Sequence, residues 1–296
     1  MRIPVPGPAS RVPGQVSRYA GPGTRDMNLR NIPKSQEPLP VIGLGTWRSF
    51  DVASDRARRP LAQVARRFSE LGGRVIDTSP MYGKAEEVIG ELKTHVKEPF
   101  IATKVWTRGR EAGIEQMKRS MRFLRATQID LIQIHNLVDW RTHLLTLRNW
   151  KANGLIRYIG ITHYQIAAFP QLAQIMTDED IDFVQLPMSV ELPDAEQRLL
   201  PLAQSRRISV IVNRPFEEGA LLRRVRNKPL PAWAAEFDSK SWGELFLRYI
   251  VSHPAVTCVI PATSSVEHLE ENMRAGEGRM LSMAERAALR KRLSAG

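Results

Sequence analysis

From residue 41 onward one pattern recurs along the chain: a short run of consecutive apolar residues, then a polar stretch whose apolar positions fall three and four apart. Unbroken apolar runs of this length suit strands buried on both faces, whereas a three-four spacing lays one apolar stripe along a helix. Eight runs follow one another: VIGLGTW from Val41, RVIDTSPMY from Arg74, FIATKVW from Phe100, IDLIQIHN from Ile129, RYIGITHY from Arg157, DFVQLPMS from Asp182, ISVIVNRP from Ile208 and VTCVIPAT from Val256. Helical patterns between them include Leu61 to Leu71, Gly113 to Leu124 and Trp242 to Val251. Strands alternating with helices build a parallel sheet.

Such a sheet either stays open, with helices on both faces, or closes on itself. An open dinucleotide-binding sheet is expected to carry Gly-x-Gly-x-x-Gly after its first strand; here Gly43-Leu44-Gly45 continues as Thr-Trp-Arg with no third glycine. Closure is therefore favoured. The expected fold is α/β, a (β/α)8 TIM barrel over residues 37–296 as a single domain, preceded by a disordered extension over residues 1–36. The longest connection without a helical pattern, Phe216 to Ser239, carries Pro229, Pro231 and Trp233 and is expected to be a functional lid.

Composition changes this picture little. The formal charge of +12 invites a nucleic-acid partner, but its distribution argues against one. Residues 1–36 hold six basic side chains against Asp26, and residues 274–296 hold six against Glu277 and Glu285, so the body between them carries only +3. Terminal charge of this kind reads as a solvated tail and a solvated helix face, and no nucleic-acid motif accompanies it. No run of 18 apolar residues is present, so no membrane partner is expected. The first 36 residues, rich in Pro, Gly, Arg and Ser, lack the apolar stretch of a signal peptide and the arginine pair of a twin-arginine signal. A cytoplasmic monomer is the expectation, or a periplasmic one if the true start adds an export signal. The single cysteine, Cys258, excludes an intramolecular disulfide.

Barrel sites are built where the strands end. The second run ends in Asp77-Thr78, the third in Thr103-Lys104, the fourth in His135-Asn136, the fifth in Thr162-His163, the sixth has Gln185, and the seventh ends in Asn213-Arg214. Taken singly, Asp77 also suits a helix cap, His135 a satisfied structural histidine, and Tyr82 an ordinary half-buried aromatic. Lys104 is more demanding, because an ammonium at a strand end needs a counter-charge once it loses water. Asp77, one strand away, can supply it. An acid, a lysine and a histidine on consecutive strands, with a tyrosine five residues beyond the acid, suit reduction of a carbonyl. Hydride addition makes an alkoxide, so the site needs a proton donor at that oxygen and positive potential around it. Tyr82 is the candidate donor, with an ammonium beside it expected to lower its pKa; Asp77 would hold Lys104 charged, and His135 would orient the oxygen.

These residues resemble the aldo-keto reductase superfamily over about residues 38 to 276. The segments that carry the likeness are Gly43-Leu44-Gly45-Thr46-Trp47, DTSPMYG from Asp77 to Gly83, Ala102-Thr103-Lys104, Gln133-Ile134-His135, Tyr158-Ile159-Gly160, Val259-Ile260-Pro261 and Glu271-Asn272. The phrases HNLVDWRTHL and VNRPFEEGALL are similar to bacterial aldo/keto reductases whose precursors often carry export signals. The resemblance implies reduction of a small-molecule aldehyde or ketone by NADPH, or by NADH, without a metal, and a catalytic tetrad of Asp77, Tyr82, Lys104 and His135. It also implies a cofactor site of Gly45, Thr46, Trp47, Thr162, His163, Gln185, Asn213, Arg214, Pro215, Thr263, Ser264, His268, Glu271 and Asn272. Within it, Thr162-His163 stand where the family usually has Ser-Asn, Asn213 replaces a stacking tyrosine, Arg214 could reach the pyrophosphate, and His268 takes an arginine's place at the adenosine 2′-phosphate. An alternative implied function is a nucleotide-binding, redox-sensing or assembly subunit with little turnover. Trp47, Trp106, Trp140 and Trp233 are expected near an apolar rim pocket.

Overall fold

The computed structural model describes residues 17–19 and 26–294. All eight apolar runs form parallel strands: β4 (Leu44–Gly45), β5 (Val75–Asp77), β6 (Phe100–Val105), β7 (Ile129–His135), β8 (Ile156–Thr162), β9 (Phe183–Pro187), β10 (Ser209–Asn213) and β11 (Cys258–Val259). They pair in sequence order from β4 to β11. The sheet closes, because the first run meets the last through parallel bridges Ile42–Val259 and Gly45–Ala262. Helices follow the strands around the outside: α1 (Asp55–Glu70), α2 (Ala85–Leu92), α3 (Arg110–Phe123), α4 (Trp140–Ala152), α5 (Phe169–Asp178), α6 (Leu199–Ser205), α7 (Ala220–Val225), α8 (Trp242–Val251), α9 (Val266–Arg274) and α10 (Met283–Ser294). α8 has the boundaries its periodicity predicts. α1 begins six residues before Leu61, because Ser54 caps it and Pro60 falls on its exposed early turns.

The two-residue period of the strands sorts their side chains into two cores. Ile76, Ile101, Ile132, Ile134, Ile159, Ile161, Val184, Val210 and Val212 face outward and pack against the helices. Val75, Phe100, Ala102, Leu131, Tyr158, Phe183, Ile211, Cys258 and Ile260 form a separate cluster, the barrel interior, which Ile32 and Leu39 join from below.

Ile32 and Leu39 correct the expected boundary of the extension. Residues 26–36 are part of the folded body: β2 (Met27–Asn31) pairs antiparallel with β3 (Pro38–Pro40) and with β1 (Ser17–Tyr19). Arg30 donates to the backbone carbonyls of Val251 at 2.8 Å and Val256 at 2.6 Å, and to that of His253, while the Asn28 amide donates to Gly276 O at 2.8 Å. The segment is held because it closes the amino end of the barrel, where apolar interior side chains would otherwise meet water. The rest of the expected extension, residues 1–16 and 20–25, lies outside the described residues.

The connection from Phe216 to Ser239 also departs from expectation, since it contains α7 and a 3-10 turn over Ala232–Phe237. It is tied to its neighbours by Trp242 Nε1 donating to Lys228 O at 2.8 Å and Arg224 donating to Leu293 O at 3.1 Å. Among the described residues, no helix is long and apolar enough to cross a membrane.

Candidate active site

Along the inward-facing positions, five of the strands change from apolar to polar as they approach their carboxyl ends. Two residues beyond Val75 comes Asp77, beyond Ala102 comes Lys104, beyond Leu131 come Gln133 and then His135, beyond Phe183 comes Gln185, and beyond Ile211 comes Asn213. The same parity that fills the lower barrel with hydrocarbon therefore points these polar groups at one another above it.

Lys104 is fully buried and Asp77 nearly so, at 0% and 2% exposure. The Lys104 ammonium donates to Asp77 Oδ2 at 2.6 Å and to the Thr78 carbonyl at 2.8 Å. The other Asp77 oxygen accepts from Gln133 Nε2 at 3.1 Å and Gln185 Nε2 at 2.8 Å, so amides from two further strands hold the carboxylate. Gly160 makes room for this arrangement, since a Cβ there would lie 2.9 Å from Gln133 Cγ. Burial alone would lower the Lys104 pKa, but Asp77 and Tyr82 outweigh it and hold Lys104 above its ordinary value. The ammonium stays charged.

Tyr82 arrives on the turn after β5, where its N–H donates to Ser79 O at 3.0 Å. The turn folds the ring back so that the Lys104 ammonium lies 5.1 Å from the ring centroid, where its charge acts on the phenol. The expected lowering of its pKa is corrected: burial pushes the phenol up, Lys104 only partly offsets this, and Asp77 adds to the rise. Part of the effect of the cation is cancelled by its own counter-ion. Tyr82 is thus a neutral phenol with a proton to give.

His135 meets Tyr82 edge-on at a ring separation of 6.0 Å, and its Nδ1 lies 3.1 Å from Ser79 Oγ. Burial, reinforced by Lys104 and His163, brings its pKa down to about 2. It is a neutral imidazole at any physiological pH. The tetrad expected from sequence is therefore assembled in one place, and Ser79 and Gln133, which the sequence offers only as parts of the segments that carry the family resemblance, complete it. Sequence reasoning does not single out Glu86, buried on α2 outside the barrel wall, which accepts from Thr103 Oγ1 at 2.6 Å and Ser120 Oγ at 3.0 Å. Thr103 faces outward between two inward residues, so this acid braces the strand that carries Lys104.

The other predicted contacts form two groups. Around Gln185, its Oε1 accepts from Thr162 Oγ1 at 3.2 Å and Asn213 Nδ2 at 3.3 Å, and Thr46 Oγ1 donates to the Asp77 carbonyl at 3.0 Å. Asn213 Oδ1 is buried with no partner, an acceptor aimed at nothing in the protein. Gly45 sits where a Cβ would be 2.7 Å from Ile260 O, and Trp47 beside it is exposed under Arg48. The second group lies at the start of α9. Ser265 caps that helix, Thr263 Oγ1 accepts from Ser265 N at 3.1 Å, and Ser264 and His268 are exposed. Asn272 is buried and Glu271 half-buried, with Glu271 Oε1 3.2 Å from where a Gly243 Cβ would stand.

Arg214 and His163 differ from the sequence expectation in their partners. The Arg214 guanidinium pairs with Glu218 at 3.3 Å and lies over the Tyr164 ring, while the next residue, Pro215, is buried. His163 stacks on Tyr164 at 5.5 Å, so an exposed aromatic surface stands after β8. Of the four tryptophans expected at the rim, Trp106 lies 6.5 Å from the His135 ring. Trp233 does not join it: it packs on Phe237 and lines a cavity with Ala288 and Leu293 of α10, because the segment that carries it docks on that helix. Trp140 is flanked by its own neighbour, Arg141.

Compared with known proteins, a family model described as the aldo/keto reductase family matches residues 41–292. The chain is 29% identical over 261 residues to the methylglyoxal reductase YeaE of Escherichia coli (strain K12), covering 86% of this chain and 90% of that one. It is 26% identical over 302 residues to the uncharacterized oxidoreductase YqkF of Bacillus subtilis (strain 168), covering 89% and 95%. Among solved structures, an aldo-keto reductase from Klebsiella pneumoniae in complex with NADPH superposes with a TM-score of 0.71 at 26% identity, covering 87% of this chain and 92% of that one. The thermostable aldo-keto reductase Tm1743 shares the fold at a TM-score of 0.75 and 23% identity, covering 89% and 98%.

Proposed function

The chain belongs to the aldo/keto reductase family, and we propose that it reduces small aldehydes and α-dicarbonyls to alcohols with NADPH, Tyr82 delivering the proton. The observation that carries this reading is the buried Asp77–Lys104 pair packed against the Tyr82 phenol, with neutral His135 beside it. A buried ion pair is a costly way to stabilise a fold, and an apolar pair would fill the space as well. Its value here is a fixed positive charge beside a phenol.

NADPH, when bound, supplies the hydride. Asn213 Oδ1, buried and unpartnered beside Gln185, fits the amide N–H of a nicotinamide carboxamide. The capped amino end of α9, with exposed Ser264 and His268, fits an anionic adenosine phosphate, and Asn272 and Glu271 on the same helix fit the adenine. The Arg214 guanidinium would have to leave Glu218 to reach a pyrophosphate.

At the reacting carbon the protein's own groups divide the work. The Tyr82 hydroxyl and the His135 imidazole converge on the carbonyl oxygen, holding it at one angle. As charge develops on that oxygen, the phenolic proton moves to it, and the growing phenolate is met by the Lys104 ammonium already in place. Asp77, pinned by Gln133 and Gln185, keeps the ammonium from following the charge. Small dicarbonyl substrates are favoured by the names of two relatives, YeaE and the Yersinia pestis methylglyoxal reductase DkgB. The test is NADPH titration by protein fluorescence followed by NADPH oxidation with methylglyoxal and a panel of simple aldehydes. Binding with turnover is expected; binding without turnover on any carbonyl would overturn the reading.

A further inference from the structure

Ser79 lies two residues beyond Asp77, on the turn that carries Tyr82, and it is fully buried. Its hydroxyl has two neighbours within hydrogen-bond distance. The Met81 N–H donates to Ser79 Oγ at 3.3 Å, and His135 Nδ1 lies 3.1 Å away. A serine hydroxyl has one proton to give and two lone pairs to fill. Met81 fills one lone pair. The hydroxyl proton then needs an acceptor, and the imidazole nitrogen is the acceptor within reach.

If His135 carried its proton on Nδ1, that nitrogen would also donate to Ser79 Oγ. The serine would then accept twice, and its own proton would be buried without a partner. Leaving a buried donor unmade is costly enough to bias the two arrangements by about tenfold to a hundredfold. With the serine donating, Nδ1 is the unprotonated nitrogen and Nε2 holds the hydrogen.

We propose that Ser79 is a positioning residue that selects the Nε2–H tautomer of His135, turning the imidazole into a hydrogen-bond donor toward the substrate carbonyl oxygen. The consequence for the reaction follows from charge. A carbonyl oxygen gains negative charge during hydride addition and is stabilised by a donor, whereas a bare Nε2 lone pair would repel it. The depressed basicity of His135 agrees, since a neutral ring can donate only from the nitrogen that carries the single proton. The use of the donor rests on the carbonyl-reduction reading above; the tautomer itself does not.

The experiment is nitrogen-15 NMR of the histidine side chains in the full chain, with His135 assigned by its disappearance in His135→Gln. In the wild type, at pH 6 to 8, Nε2 is expected to show a directly bonded proton and Nδ1 the signature of a bare acceptor nitrogen. In Ser79→Ala the Nδ1–H form is expected to become populated, and kcat to fall about tenfold while the Kd for NADPH stays within about twofold. Ser79→Thr, which keeps the hydroxyl, is expected to restore the wild-type tautomer and at least half of kcat. A proton on Nδ1 in the wild type overturns the inference without any variant having to fold. So does a Ser79→Ala protein with unchanged tautomer or unchanged kcat. Absence of turnover in the wild type would overturn the carbonyl-reduction reading instead, and the tautomer would still be read.

Discussion

Replacing Asp77 by Asn leaves the Lys104 ammonium at 0% exposure with the Thr78 carbonyl as its remaining close partner. Breaking one half of a buried ion pair costs about 3–5 kcal/mol. The lysine has an escape that caps the loss, because removing a proton from an ordinary lysine at pH 7 costs about 4.6 kcal/mol. Lys104→Met should cost a similar amount, since it strands the Asp77 carboxylate on two amide donors. The double variant Asp77→Asn/Lys104→Met carries neither charge and should lose only about 1–3 kcal/mol, giving a coupling energy of several kcal/mol. The sign of the pH dependence follows from the stranded lysine. In Asp77→Asn its folded-state pKa is depressed below the unfolded value, so the penalty is full near pH 7. It shrinks by about 1.4 kcal/mol per pH unit as pH rises toward about 10.4, where the unfolded chain loses the same proton. Urea denaturation followed by fluorescence of the six tryptophans at pH 7 and pH 9.5 measures all of this. Additive single effects, or an Asp77→Asn penalty that does not change with pH, would refute the claim that this is a charged, dehydrated pair.

His135, with its pKa brought down to about 2, must stay neutral in the folded protein while the unfolded chain takes up a proton near pH 6.5. Stability should therefore fall by about 1.4 kcal/mol per pH unit below pH 6.5 on its account, and His135→Gln should flatten that slope in denaturant titrations at pH 6.5, 5.5 and 4.5. Because burial raises the Tyr82 pKa, kcat for carbonyl reduction should stay flat from pH 6 to pH 9; a fall centred near pH 7 to 8 would mean that the lysine dominates after all. Deleting residues 1–36 removes Arg30, Ile32 and all of β2, and should lower Tm by at least about 5 °C in a thermal melt; an unchanged Tm would show that the hairpin does not seal the barrel.

Most of the barrel is legible in the sequence because buried parallel strands leave unbroken apolar runs, and the second to the seventh carry polar residues that face one another at the rim. Once inward parity is fixed by Phe100 and Ala102, Lys104 must point inward, and Leu131 places Gln133 and His135 in the same way. The same rule places Gln133 in the site, although it sits among isoleucines inside the strand rather than at its end. The hairpin over residues 27–40 is hidden for a different reason. Its sequence is polar and broken by Pro33, Pro38 and Pro40, and its order depends on carbonyls more than 200 residues away that accept from Arg30. The Tyr82 pKa could not be read from its neighbours along the chain. It depends on whether burial or the Lys104 charge prevails; burial does, and Asp77, which holds the lysine, adds to the rise. The partner of Arg214 is a local competition between a distant anion and Glu218, four residues on.

The central claim, that Tyr82 gives the proton in a site otherwise built to bind, is tested most directly by Tyr82→Phe. Loading that variant with NADPH and following its oxidation by methylglyoxal in a single turnover separates binding from chemistry. The account predicts a Kd for NADPH within about twofold of wild type and a rate at least about a hundredfold lower. A rate within tenfold of wild type would contradict it, and would move the proton donor to another group at the rim.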